Sequence, residues 1–119
     1  MTAAQTALRK AARGLLFVSE SDSRLQVVKL TDVQFAELKL TGGFPVSEAL
    51  SPMTTAQDWY GPEEKETRAR FQALETVLGS ALTDAMAYRS GDGPNITLWI
   101  LGKDAEGGYT GLRTRLTET

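Results

Sequence analysis

Asn95-Ile96-Thr97-Leu98-Trp99-Ile100-Leu101 is the stretch on which the fold turns. Successive side chains of a strand point to opposite faces, so Ile96, Leu98 and Ile100 share one face. Thr97, Trp99 and Leu101 share the other. A strand wetted on one side would be polar there; this one is largely apolar on both, which predicts helices on both faces of its sheet. Upstream, residues 85–89 read as another strand, with Gly91-Asp92-Gly93-Pro94 as the turn between the two. Downstream, a loop over 103–108 leads to a third strand at 109–116. Three consecutive strands joined by short glycine-rich loops predict an antiparallel meander.

The long helix that would cover this sheet starts at Pro62, a favoured first helical position. Glu63, Glu64 and Glu66 follow in the first turns, where the helix dipole favours negative charge. Phe71, Leu74, Val77, Leu78, Ala81 and Leu82 then recur three and four residues apart. A shorter helix is expected over 3–13, capped by Thr2, striped by Ala4, Leu8, Ala11 and Ala12, and ended by Gly14. Its Arg9, Lys10 and Arg13 fall in the last turns, where cations are favoured. Residues 15–18 and 25–30 read as two more strands, with polar Ser19 to Arg24 as their connection. Residues 32–40 fit a helix capped by Thr31 and stopped by Gly42-Gly43, with a strand as the alternative. Residues 44–54 carry weak signals. The expected class is α+β: an α-β-α sandwich with a largely antiparallel sheet, in one domain over 1–119.

Composition narrows the chemistry. The chain has 119 residues, 41% apolar and 24% charged, and no stretch approaches the ~20 apolar residues that span a bilayer. It contains neither cysteine nor histidine. That removes disulfides, thiolate nucleophiles, the usual metal ligands and the usual general base at neutral pH. Net charge is −2 and the pI is near 5.1, opposite to the basic balance of a nucleic-acid binder. Residues 1–19 lack acids, as transit peptides do, but the capped helix accounts for them and a cytoplasmic protein is expected. No cofactor and no catalytic activity are expected.

Two clusters remain as candidate sites. Ser19-Glu20-Ser21-Asp22-Ser23 would present carboxylates among hydroxyls at a hairpin tip. It reads as a docking surface for a basic partner or a weak cation site, and equally as a solvated polar turn. Asp58-Trp59-Tyr60 pairs an acid with aromatic anchors, as interface hot spots do. It reads as well as a helix cap at Asp58 with an aromatic staple beside it. Gly91-Asp92-Gly93 and Gly107-Gly108 lie between strands, so neither is a phosphate cradle.

Three stretches together resemble the nuclease A inhibitor family. They are Gly14-Leu15-Leu16-Phe17-Val18-Ser19-Glu20-Ser21, Thr54-Thr55-Ala56-Gln57-Asp58-Trp59-Tyr60 and the closing Leu116-Thr117-Glu118-Thr119. Phe71-Gln72, Tyr88-Arg89 and Ile100-Leu101-Gly102 fall at matching intervals between them. The resemblance covers roughly residues 14–23 and 51–119, and residues 24–50 depart from the family's pattern. It implies an α-β-α sandwich that inhibits a sugar-nonspecific, magnesium-dependent DNA/RNA endonuclease of the ββα-metal type in a 1:1 complex. By the same resemblance Glu20 contacts the nuclease, and Asp58 and Trp59 belong to the interface. Thr119 reaches toward the nuclease's magnesium, the inhibitor holding no metal of its own.

The alternatives are a regulatory or scaffolding module of the same fold that contacts other proteins, and a small-ligand binder or enzyme with a site beneath the sheet. A buried carboxylate–lysine or carboxylate–tyrosine pair would favour the last.

Overall fold

The computed structural model describes residues 2–18, 22–40, 42–54, 61–91 and 95–117. Helix α1 (Ala3–Ala12) starts on a full capping box. The Thr2 hydroxyl accepts from the Gln5 backbone N–H at 3.1 Å, and the Gln5 side chain accepts from the Thr2 N–H at 3.0 Å. Ala4, Leu8 and Ala12 are its buried stripe, and Gly14 takes a φ of 74° just beyond its end. That left-handed turn favours glycine and redirects the chain into β1 (Leu16–Val18).

β1 pairs antiparallel with β2 (Asp22–Arg24), with Val18 opposite Asp22 and Leu16 opposite Arg24. The polar connection expected over residues 19–24 is therefore shorter. Residues 22–24 form strand because the backbone ladder to β1 outweighs their low intrinsic preference for it. β3 (Gln26–Leu30) follows at once. The next segment resolves as helix: α2 (Asp32–Glu37) carries a second capping box, between Thr31 and Gln34. It ends at Leu38 and not at the glycine pair, with Lys39 in the left-handed region at φ 50°.

Residues 44–54, weak in the sequence, provide an isolated bridge between Phe44 and Ala87 and then helix α3 (Val46–Thr54). α4 (Pro62–Ala81) is the long helix, with Phe71, Leu74 and Leu78 fully buried. Each such side chain contributes about 1.5–3 kcal/mol relative to exposure. Glu64 does more there than compensate the dipole, accepting from the Gly61 N–H at 3.1 Å.

The meander is β4 (Thr83–Ser90), β5 (Asn95–Lys103) and β6 (Tyr109–Thr117). The four-stranded sheet runs β3-β6-β5-β4, antiparallel throughout. β4 starts two residues before the expected point, with an irregularity between Thr83 and Met86 and Asp84 at φ 53°. Gly111 is required by packing: a Cβ there would lie 1.8 Å from the Ile100 carbonyl oxygen.

Ile96, Leu98 and Ile100 face the core with Phe71, Leu74 and Leu78 of α4 and Ala4 and Leu8 of α1. On the opposite face Phe35 of α2 stacks on Tyr109, ring centroids 3.9 Å apart, and meets Tyr88 edge-on. Helices thus cover both faces, as the two apolar sides of β5 require, and the class is α+β.

Candidate functional site

The register of the sheet defines two ends. At the first, Asn95 pairs with Thr117 and Ser90 with Thr97. β2 packs beside β6 and leads into β3, whose Gln26 pairs with Arg113, so Asp22 and its partner Val18 lie toward this same end. α4 enters β4 through Leu82 alone, so its N-terminus, Gly61 and Pro62, points the same way as Ser90. The edge contact between Phe17 and Phe71, centroids 6.5 Å apart, fixes β1 against the middle of α4.

Of the residues expected at the site, Glu20, Asp58, Trp59 and Thr119 lie outside the described residues. The described chain that flanks them runs toward the Thr117 end of the sheet. Val18 and Asp22 bracket Glu20, Gly61 follows the Asp58-Trp59-Tyr60 stretch, and Thr117 precedes Thr119. Glu63, Glu64 and Glu66 add three exposed carboxylates at that helix N-terminus. Thr54, on the other side of the Asp58 stretch, is held lower down, where its carbonyl accepts from Gln72 Nε2 at 3.4 Å.

The second tryptophan belongs to the fold. Trp99 is 8% exposed, its indole N–H donates to Ser90 Oγ at 3.0 Å, and the Arg113 guanidinium lies 5.5 Å above its ring. It has little surface to give a partner, which leaves Trp59 as the candidate interface indole.

The opposite end holds a buried carboxylate beside a lysine, the feature that would favour a ligand site beneath the sheet. Asp104 Oδ2 accepts from Thr110 Oγ1 at 2.7 Å and Thr2 Oγ1 at 2.8 Å, and Lys29 Nζ stands 3.4 Å away. Its Oδ1 accepts from the Glu106 backbone N–H at 2.9 Å. Lys29 also donates to the Gly107 carbonyl. The Glu106 N–H and the Thr110 hydroxyl hold the Asp104 carboxyl well below the usual range, against burial, with Thr2 and Lys29 adding to them. Both carboxylate oxygens are engaged, and Asp104 does not line the groove along β3, the one beside Trp99 or the one between α1 and α4. The cluster ties the start of α1 to the β5–β6 turn; its chemistry is structural. Among the described residues no group of three or more acids could hold a metal ion, and no helix is long and apolar enough to cross a membrane.

Comparison with known families matches residues 2–119 to the family described as nuclease A inhibitor-like protein. The chain belongs to the nuclease A inhibitor-like family. The match spans residues 24–50 as well, where the sequence resemblance lapses. No curated protein matches the chain.

Sequence reasoning missed one further set of side chains. Arg9, Arg13, Arg24 and Arg113 line a single groove. The local signal is the four-residue spacing of Arg9 and Arg13, which puts both on one side of a helix and is equally explained by dipole compensation.

Proposed function

We propose that residues 1–119 act as one cytoplasmic, non-catalytic inhibitor domain, which binds a magnesium-dependent DNA/RNA endonuclease of the ββα-metal type 1:1 and occludes its active site. The family match over residues 2–119 carries this reading. The direction of the chain at Val18, Asp22, Gly61 and Thr117, toward one end of the sheet, supports it, because a plug needs its contacts on one surface.

The physics follows from the target. A nuclease active site is a basic cleft around a hydrated metal, shaped for phosphate. Glu20 supplies a carboxylate where a phosphate charge would sit, accepting charge-assisted bonds from a cationic side chain. Asp58 adds to that negative field. Trp59 is the desolvated anchor that excludes water, and its truncation costs about 2 kcal/mol or more. Thr119 offers oxygen donors of the kind magnesium and its water shell prefer. The inhibitor needs no cofactor and contacts no nucleic acid.

The test is a titration of the protein into an assay of a ββα-metal nuclease, preferably from the same organism. Inhibition at equimolar ratio is expected, weakened roughly tenfold or more by Glu20→Ala and by deletion of Thr119. Unchanged potency in both variants would remove the mechanism. Binding to other proteins with no slowing of any such nuclease would turn the reading to a scaffolding module.

A further inference from the structure

β3 is the outermost strand of the four-stranded sheet, laddered on one side to β6. β1 pairs with β2 but stops at Leu16 opposite Arg24, and among the described residues no strand continues that line along β3. Among the described residues, the strand position next to β3 is therefore unfilled. A groove of about 890 Å³ occupies it. Residues 24 to 28 line the groove consecutively. Both side-chain parities are represented, so the groove meets β3 along its backbone edge and not over one face. The end of α1 and the start of β1 form the other wall.

The lining has one charge sign. Arg9, Arg13, Arg24 and Arg113 face the groove, and no carboxylate is among its lining residues. Arg113 donates to Gln26 Oε1 through Nε at 3.1 Å and through a terminal nitrogen at 2.6 Å, which holds it over the strand. Among the described residues no acid forms an ion pair with Arg9, Arg13 or Arg24. In a chain of net charge −2 this is a local reversal of sign. Four arginines beside an open edge repel a second copy paired through the same edge, a recognised means of blocking self-association. They attract a strand of opposite charge. The remaining lining includes Leu16 and Val28, which suits a peptide with apolar side chains better than a sugar–phosphate chain. Nucleic-acid strands also bind on exposed aromatic platforms, and the nearby Trp99 ring is covered by Arg113.

We propose that the groove along β3 takes an acidic, extended peptide segment as an added strand, backbone ladder to β3 and carboxylates to the arginines. Five residues of strand span ~17 Å, enough for a short linear motif. This proposal is independent of nuclease inhibition, since the groove flanks the sheet's lateral edge and is assayed on the free protein.

The test is calorimetric titration of the full chain with a short end-blocked peptide alternating glutamate and valine. Three comparison probes accompany it: the lysine–valine peptide, a glutamate–valine peptide methylated on alternate backbone nitrogens, and oligo(dT). Binding of the first peptide is expected, with none for the lysine or N-methylated forms. Arg9→Glu with Arg24→Glu should weaken it roughly tenfold or more with unchanged thermal unfolding. No binding of the glutamate peptide would overturn the proposal. Equal binding of the N-methylated form would also do so, because the ladder would then contribute nothing. Tighter binding of oligo(dT) would reassign the groove to phosphate. If the double variant fails to fold, the N-methylated peptide still decides on the unaltered protein.

Discussion

The two ends of the sheet use carboxylates in opposite ways. At the β5–β6 turn Asp104 is buried, its oxygens taken by two hydroxyls, a backbone N–H and a lysine. At the Thr117 end the carboxylates of α4's first turn stand exposed, and Glu64 accepts from the Gly61 N–H. A buried acid with a full set of partners is committed to the fold, since removing a partner leaves polar groups without water or protein to satisfy them. An exposed acid costs the fold little to change and remains available to a cationic partner. Under the proposed function, stability and recognition are thus separable by position.

The strongest challenge to that separation is Asp104→Ala. It strands Thr2, Thr110 and Lys29 together, and should lower unfolding free energy by roughly 2–4 kcal/mol in urea titrations. Inhibition per folded molecule should not change. Trp59→Ala should do the reverse, weakening nuclease binding about thirtyfold or more, the equivalent of 2 kcal/mol, while thermal unfolding stays put. A variant that moved both readouts together would erase the distinction between the ends.

Acid sharpens the comparison. The folded-state pKa of Asp104 is depressed, so its contribution is complete above the unfolded carboxylate value, about 4. It is lost as pH falls below that value toward the folded one. Wild type should therefore lose stability progressively below about pH 4. Asp104→Asn should start lower at neutral pH and fall less over the same range, as read by urea midpoints across pH. Parallel curves would show that other acids carry the acid sensitivity. Thr2→Ala removes a helix cap and one Asp104 partner, and about 1–2 kcal/mol is expected from chemical denaturation. Smallest is the salt effect: nuclease association should slow a few-fold between low and physiological ionic strength, with dissociation little altered.

Much of this architecture is legible in local pattern. The alternation of residues 95–101, the three-and-four spacing from Phe71 to Leu82, and the Thr2 and Thr31 caps each translate directly into β5, α4, α1 and α2. The failures are equally specific. Asp22-Ser23-Arg24 has the composition of a turn, yet pairing with β1 makes it strand. Residues 44–54 have no clear period because the helix there is short and follows directly on the Phe44 bridge to Ala87. For the candidate site, the family resemblance names Glu20, Asp58, Trp59 and Thr119, and nothing local indicates the direction in which the chain beside them runs in the folded sheet.

What the residue order settles is whatever depends on near neighbours: periodicity, caps, turns and the exclusion of thiol and imidazole chemistry. What folding alone settles is which distant groups meet. Thr2 and Asp104, which hydrogen-bond, and Arg9 and Arg113, which line one groove, are about a hundred positions apart and are brought together by the register of β3, β5 and β6 and the packing of α1 on them. Register is a property of the whole sheet, because shifting one strand by a single residue moves every side chain to the other face.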